Sequence, residues 1–205
     1  MKYVSIDIET TGLDPESCQI LQIGAIIEDT NNQMEYSELP KFQCVVEHPE
    51  YSGQPTALKM NSWLFEILSG LEGKTKETRL EYRKTHNIIP VGLVAKSLQM
   101  WLISNGLIPE FINEPVKITA AGKNFASFDK QFLQKLPNWG SSIQIRQRII
   151  DPAVMVTNWK EDSTLPNLNT CLQRLGLPGE VTHDALADAW DVVRVIRAAT
   201  DNYLK

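Results

Sequence analysis

The chain has 205 residues, an apolar content of 42% and a formal net charge of −5. This length is enough for one globular domain with its own hydrophobic core, and the apolar content is near the globular average. No run of about 18 apolar residues is present, so the pattern excludes a membrane-spanning helix. The acidic balance gives no global basic footprint of the kind that nucleic-acid-binding proteins often carry.

The cysteines and the N-terminus indicate a compartment. Cys18, Cys44 and Cys171 are odd in number and lack the spacing of a metal site, so we expect reduced, mostly structural thiols. The first predicted strand begins by residue 3, which leaves no room for a signal peptide. These features favour a cytoplasmic protein with a single domain over 1–205.

Hydrophobic periodicity and turn residues divide the chain into strands and helices. The predicted strands are 3–9, 19–28, 42–47, 116–121 and 145–150. The predicted helices are 56–69, 91–105, 125–136, a segment starting at Asp151-Pro152, 168–175 and 184–202. Asp151 is interpreted as a helix N-cap, with Pro152 at the first helical position, and not as a ligand.

The first strand carries two carboxylates on one face. Side chains alternate across a strand, so Asp7 and Glu9 share a face with Ser5, while apolar side chains occupy the other. Ionised carboxylates are tolerated on such a strand when they are paired or bound to a metal. Taken alone, the pair is better explained by an edge strand with solvated acids, and only the motifs further along the chain favour a metal site.

A charged, insertion-like segment at 70–90 separates the helices predicted at 56–69 and 91–105. Its part from 72 to 86 carries five lysines and arginines and three glutamates. Such a segment could guide a phosphate backbone. The preferred interpretation is a solvated helix with charge pairs.

The second motif, Gly-Lys-Asn-Phe-Ala-Ser-Phe-Asp, ends at Asp129. Asp129 falls within the apolar stripe of the helix predicted at 125–136. A charge on a core-facing stripe is costly without a partner, so Asp129 is a candidate metal ligand. The alternative is structural, with Asp129 paired to Lys130 or a distant arginine, or placed at the margin of the stripe.

The third motif, His-Asp-Ala-Leu-Ala-Asp-Ala, begins at His183. Asp188 interrupts an apolar stripe on a helix that is apolar around much of its circumference, a pattern typical of burial. Asp184 has a structural explanation as an acid in the first turn of a helix, and Asp191 is expected to pair with Arg194 on the surface. His183 precedes the helix and can swing toward a substrate. A lone histidine is usually structural, but this one precedes a buried acid, which favours catalysis.

In order and spacing, the three motifs resemble the DEDD exonuclease superfamily, in the subclass whose third motif carries histidine. That group includes ribonuclease T, oligoribonuclease and the proofreading subunits of bacterial DNA polymerases. The resemblance runs from residue 3 to about residue 198. It implies a ribonuclease-H-like α/β fold, with a five-stranded mixed sheet, an antiparallel second strand and flanking helices.

The resemblance also implies a site for two Mg²⁺ or Mn²⁺ ions, which are hard cations suited to carboxylate oxygens. Asp7 would bridge the ions, Glu9 and Asp188 would complete one site, and Asp129 would hold the other ion largely through water. His183 would be the general base that takes a proton from the attacking water. The implied activity is 3′→5′ exonucleolytic release of nucleoside 5′-monophosphates from single-stranded DNA or RNA.

Substrate contacts are implied in two places. Leu13 and the backbone at Thr11 and Gly12 would pack against the terminal nucleotide. Many relatives carry His-Asn five and four residues before the aspartate of the second motif, whereas Asn124 and Phe125 stand there in this chain. Asn124 could donate a hydrogen bond to substrate or cap the helix. Some relatives dimerise, so a homodimer is an open alternative.

Two other functional classes stay open. One is a degenerate family member that binds nucleic acid or protein without cleaving, although retention of all five catalytic positions argues against it. The other is a metal-dependent phosphatase or endonuclease on the same fold, which would show no polarity of digestion.

Overall fold

In the computed structural model, which describes residues 1–179 and 182–203, five strands form one mixed sheet in the order β4-β3-β2-β1-β6. They are β1 (Lys2–Thr10), β2 (Ile20–Asp29), β3 (Lys41–Glu47), β4 (Ile88–Pro90) and β6 (Ala120–Ala121). β2 is antiparallel to both of its neighbours, whereas β3 pairs with β4, and β1 with β6, in parallel. The predicted mixed sheet with an antiparallel second strand is confirmed.

A short parallel ladder and a set of helices complete the described chain. The ladder joins β5 (Val116–Ile118) to β7 (Ile143–Ile145). The helices are α1 (Pro55–Met60), α2 (Ser62–Ser69), α3 (Lys76–Thr85), α4 (Val91–Ser104), α5 (Asp129–Leu133), α6 (Trp139–Ser142), α7 (Ala153–Val156), α8 (Leu168–Arg174) and α9 (Ala185–Tyr203). Of the predicted 1–205 domain, 180–181 and 204–205 lie outside the described residues. Within the described part, no helix is long and apolar enough to cross a membrane.

The two faces of β1 have different neighbours, as the alternation predicts. Val4, Ile6 and Ile8 are buried in the cluster that includes the inner face of α4, and each such side chain contributes about 1.5–3 kcal/mol by leaving water. The opposite face lies under α9, where the Ser5 hydroxyl donates to the Ala189 carbonyl at 2.8 Å. The polar face of β1 is therefore enclosed by a helix rather than by solvent.

The strand predicted at 145–150 is wrong. The chain leaves the ladder after Ile145 and returns to the sheet only at Ile150, which forms a single bridge with Ala121. The polar run at 146–148 between them is exposed and has nothing to gain from burial. The fifth strand of the sheet is β4 instead, and its Pro90 lacks an N–H, which suits an edge position.

Two predicted helices differ from expectation, one because it is broken in two and the other because it is shorter. The segment predicted as 56–69 breaks at Asn61, whose side-chain amide donates to the Thr10 carbonyl at 3.1 Å. The helix predicted at 125–136 is confined to α5, because Asn124 has a φ of +59° and its carbonyl closes turns by accepting from the amides of Ser127 and Phe128. In both places a tertiary contact or a turn overrides the helical period.

Three smaller expectations can be compared directly. α7 begins at Ala153, one residue later than predicted, yet the Asp151 carboxylate accepts from the Ala153 amide at 2.9 Å in the manner of a cap. The three cysteines are buried free thiols. In the charged segment, α3 confirms the predicted helix. Its Arg79 and Arg83 each pair with Glu47 of β3 at 2.7 Å, rather than with the glutamates of the segment.

Candidate active site

The site lies where β1 passes beneath the N-terminus of α9. β1 supplies Asp7 and Glu9, α5 begins at Asp129, and Asp188 lies in the first turn of α9. The charges of Glu9, Asp129 and Asp188 all act on Asp7, so the four predicted carboxylates are neighbours in space. The structure thus brings together residues from three motifs that are far apart in the sequence.

His183 joins this group. A ring nitrogen of His183 and one carboxylate oxygen each of Glu9 and Asp188 lie within 4.8 Å of one another. His183 is exposed and has a φ of +54°, which lies in the left-handed region that non-glycine residues seldom adopt. Its loop therefore holds an uncommon backbone conformation that presents the ring to solvent beside the acids.

Crowding and burial raise the pKa values of the acids in this site. Burial, followed by the charges of Asp129 and Asp188, raises the pKa of Asp7 well above its usual value. Burial, followed by the charge of Asp188, raises the pKa of Glu9 to about 7, although a hydrogen bond from Asn61 offsets part of that rise. A bound cation would offset this repulsion and lower the pKa values, because it stabilises the ionised carboxylates.

Asp129 is held by backbone amides as well as crowded by charge. Burial raises its pKa to about 7, while hydrogen bonds from its own amide and from the Ile8 amide act in the opposite direction. The Ile8 amide belongs to β1, so Asp129 is fastened to the strand that carries Asp7. The structural alternative for Asp129, a pair with Lys130, is not among the ion pairs of the described residues.

Asp188 carries the clearest mark of an absent partner. Burial raises its pKa to about 6, with the Thr182 amide and the charge of His183 lowering it. Its Oδ1 atom is buried and has no hydrogen-bond partner in the described structure. An orphaned buried oxygen is costly, and among three neighbouring carboxylates it suits a hard divalent cation. The donor set therefore fits Mg²⁺ or Mn²⁺.

Two further acids near the site have structural partners. Asp191 pairs with Arg194 at 2.7 Å, as expected, but Asp191 is buried and the pair is not on the surface. The pair is enclosed because Asp191 lies on the buried side of α9. Asp184 accepts hydrogen bonds from the Leu186 and Ala187 amides at 3.1 and 3.0 Å. It was predicted as an acid within the first turn, but the helix begins at Ala185 and Asp184 caps it from the preceding position.

The predicted substrate residues lie on two loops. Leu13 is 73% exposed on the turn after β1. The Thr11 amide and carbonyl are bonded to Gln19 and Gln54, and a Cβ on Gly12 would lie 2.6 Å from the Cys18 sulfur. The turn is thus held in place by hydrogen bonds and close packing, and the Leu13 side chain at its tip is accessible to a ligand.

Asn124 is exposed and does not cap α5. Its carboxamide oxygen accepts from the Ser127 hydroxyl, and its backbone amide donates to the Asp151 carboxylate at 3.0 Å. Of the two alternatives, the helix cap is therefore wrong, since Asn124 begins a turn that ends before α5.

Three polar residues near the site were missed from the sequence. They are Asn61, Gln22 and Gln43, which bond to Glu9 or to Asp184. A signal was present, because each glutamine interrupts an apolar strand, as in Ile-Leu-Gln-Ile around Gln22. An amide side chain in such a strand needs a hydrogen-bond partner, and here the partner is Asp184 at the N-terminus of α9.

No protein-family model matches the chain, and no curated protein sequence matches it. Solved structures do. Cell-death related nuclease 4 (CRN-4) superposes with a TM-score of 0.62 at 14% identity, over 98% of this chain and 64% of its own. Exonuclease I of E. coli, in complex with a 5cy-dT13 oligonucleotide, gives 0.61 at 18% identity, over 98% and 40%.

A third structure, exonuclease I from the moderately thermophilic Methylocaldum szegediense, gives a TM-score of 0.61 at 16% identity, over 100% of this chain and 41% of its own. The chain therefore spans from 40% to 64% of the length of these proteins. At such identities the likeness establishes the fold alone, and the resemblance drawn from the three motifs is confirmed at that level: this chain has the ribonuclease-H-like α/β fold of the matched nucleases.

Proposed function

We propose that the chain, as a single domain over 1–205, is a metal-dependent 3′→5′ exonuclease that releases nucleoside 5′-monophosphates. The observation that carries the proposal is the convergence of Asp7, Glu9, Asp129 and Asp188 beside His183. The four acids repel one another, and the Asp188 oxygen Oδ1 is buried without a partner. A site of this kind loses stability unless a cation occupies it.

The four carboxylates would hold two Mg²⁺ or Mn²⁺ ions. When bound, such ions supply positive charge that activates an attacking water and stabilises a leaving oxygen. Asn61 lowers the pKa of Glu9, and the Ile8 amide lowers that of Asp129, so two of these carboxylates have a neutral donor beside them before any ligand arrives. His183 is exposed beside the acids and would take the proton from the attacking water as general base.

The substrate would be the 3′ end of a single-stranded nucleic acid. The turn with Leu13 at its tip follows directly from the strand that bears Asp7 and Glu9, so an exposed apolar side chain stands next to the acids. Exonuclease I, which shares the fold, is solved with dT13 and dA16 oligonucleotides. We infer that this chain accepts a single strand with its terminal base against Leu13.

A labelled oligonucleotide tests the proposal. With a 5′ label and Mn²⁺, a ladder of shortened labelled products is expected, and excess chelator should abolish it. A phosphatase would remove a 3′-terminal phosphate without shortening the chain, and an endonuclease would cut a circular single strand. Either result in place of the ladder, or cleavage that persists in chelator, would refute the exonuclease.

A further inference from the structure

The Asp184 carboxylate accepts four hydrogen bonds, of which only half belong to its own helix. Oδ1 accepts from the Leu186 and Ala187 amides at 3.1 and 3.0 Å. Oδ2 accepts from the side-chain amides of Gln22 and Gln43 at 3.1 and 3.0 Å. One oxygen therefore caps α9, and the other attaches the N-terminus of α9 to the sheet.

The two glutamines come from adjacent strands on the face that α9 covers. Gln22 of β2 is buried and lies opposite Glu9 in the β1–β2 register. Its side-chain oxygen also accepts from the Ala185 amide at 2.9 Å, so one carboxamide fixes two consecutive residues at the start of α9. Gln43 of β3 lies opposite Gly24 and adds the second donor.

Capping a helix does not need this arrangement. In α8 the Asn167 side chain accepts from the Thr170 amide at 2.8 Å, and this single bond completes the cap. α3 is capped in the same way by Thr75. The two bonds from the strand glutamines to Asp184 are additional to a cap. Gln22 lies on β2 beside Glu9, whereas Gln43 lies on β3, one strand further from Glu9.

The start of α9 also lies unusually close to the sheet. A Cβ on Gly24 would be 2.2 Å from the Ala185 carbonyl carbon. The Asp188 amide donates to the Asp184 carbonyl at 2.9 Å, and His183 directly precedes Asp184. Any displacement of Asp184 is therefore passed on to both His183 and Asp188.

We infer that Asp184 is a positioning residue of the proposed nuclease site. Gln22 and Gln43 hold its carboxylate, and through it they set where α9 presents His183 and Asp188 relative to Glu9. The inference rests on the proposed function for the reaction at this site. The placement of His183 and Asp188 can nevertheless be tested without that reaction, because it also affects the affinity for a metal ion.

The substitution Asp184→Asn separates the two halves of the carboxylate. Its oxygen can keep the bonds from Leu186 and Ala187, while its NH₂ group then faces the two glutamine NH₂ groups. Gln22 cannot turn its amide around without losing the Ala185 bond. Outer-shell partners of metal ligands typically contribute about 10–100-fold in metal affinity or activity, so we expect losses of that size in Mn²⁺ affinity and in kcat, with KM for the oligonucleotide little changed.

The experiment compares wild type, Asp184→Asn, Gln43→Leu and the double variant, with Asn167→Ala as a cap control remote from the site. Mn²⁺ affinity is measured by electron paramagnetic resonance of the free ion, kcat on a single-stranded oligonucleotide, and Tm without metal. Gln43→Leu should lower Mn²⁺ affinity less than Asp184→Asn, and the double variant should lose no more than Asp184→Asn alone. Asn167→Ala should lower Tm and leave Mn²⁺ affinity unchanged.

An Asp184→Asn protein with a lower Tm but wild-type Mn²⁺ affinity and kcat would reduce Asp184 to an ordinary cap and overturn the inference. Additive losses in the double variant would overturn the link to Gln43. Should Asp184→Asn fail to fold, Gln43→Leu decides alone, and unchanged Mn²⁺ affinity counts against the inference. A wild type that binds Mn²⁺ without cleaving refutes the nuclease and leaves the affinity comparison valid, whereas one that binds no Mn²⁺ refutes both.

Discussion

The acidic residues of this site lower the stability of the metal-free protein, because they are crowded together with little positive charge beside them. Asp7 shows this most clearly, because burial and the charges of four acidic neighbours disfavour its ionised form. A residue placed for folding alone would have a cation or several donors around it. Asp129 has two amides and Glu9 has Asn61, and among the described residues these are the donors that lower the pKa values of the two acids.

The first prediction concerns Asp7→Asn. The substitution removes one repelling charge and keeps the shape, so the metal-free variant should have a Tm equal to or above that of wild type. Its nuclease activity should fall below detection, because a central carboxylate is lost. Differential scanning calorimetry in chelator and the oligonucleotide ladder measure the two effects. An unfolded Asp7→Asn protein would instead mean that Asp7 stabilises the fold.

The second prediction separates the general base from the ligands. His183→Ala should lower turnover by about 10²–10⁴-fold and leave the rise in Tm on adding Mn²⁺ nearly intact, whereas Asp188→Ala should diminish both. The contrast is informative because the His183 nitrogen lies within 4.8 Å of both carboxylates and could share an ion with them. Equal loss of metal-induced stabilisation in the two variants would make His183 a ligand, and full activity of His183→Ala would remove it from the mechanism.

At the scale of elements, α9 covers β1 and supplies Asp188 to the site, and its close approach to the sheet depends on the glycine at position 24. Gly24 lies between Asp7 on β1 and Gln43 on β3 in the strand register. Without a Cβ there, the backbone of Ala185 and Leu186 can lie directly on the sheet. This proximity brings Asp188 over Glu9.

A third prediction therefore concerns Gly24→Ala. The added methyl group would overlap the α9 backbone, so the variant should lose about 1–3 kcal/mol in the free energy of unfolding and bind Mn²⁺ more weakly. Gly92→Ala in α4 is the matched control, because no atom lies within 4 Å of its added Cβ, and it should be neutral or stabilising by about 0.5–1 kcal/mol. Urea unfolding and Mn²⁺ titration measure both. Equal behaviour of the two variants would contradict a close-packed α9.

The elements also show how far a sequence can predict this fold. β1, β2, β3, α4 and α9 were predicted within a residue or two because their apolar patterns are long enough to be recognised despite single polar interruptions. The segments at 125–136 and 145–150 were wrong because local pattern was overruled, by the left-handed turn at Asn124 and by the exposed polar run at 146–148. α3 was foreseen as a helix, but no local pattern could show that Glu47, some 30 residues earlier, would bind two of its arginines.

The carboxylates of the candidate site could be predicted from the sequence, whereas the residues that hold them in place could not. Carboxylates on an apolar strand or stripe are conspicuous in a sequence, so Asp7, Glu9, Asp129 and Asp188 were found. Gln22 and Gln43 are neutral, and their role depends on the distant residue Asp184, 162 and 141 positions away. Such partners follow from tertiary geometry alone.

For the whole molecule, the acids of the site link stability to pH. The pKa of Glu9 is raised from 4.5 to about 7, that of Asp129 from 3.8 to about 7 and that of Asp188 from 3.8 to about 6, chiefly by burial. The folded protein therefore retains protons that the unfolded chain has released over this range. Their contribution to stability is full below about pH 4 and is lost as the pH rises to about 7.

The fourth prediction follows from that sign. A divalent cation requires ionised carboxylates and must displace their protons, so the rise in Tm on adding Mn²⁺ should be small at about pH 5 and should reach its full size above about pH 7. Asp162, whose pKa is lowered to about 2 by Arg174, titrates below this window and does not obscure it. Thermal unfolding across the range, with and without Mn²⁺, measures the effect. The double variant Asp7→Asn/Asp129→Asn, with two of the acids removed, should show a flatter profile, and a metal-induced rise independent of pH in wild type would mean that these acids do not hold the ion.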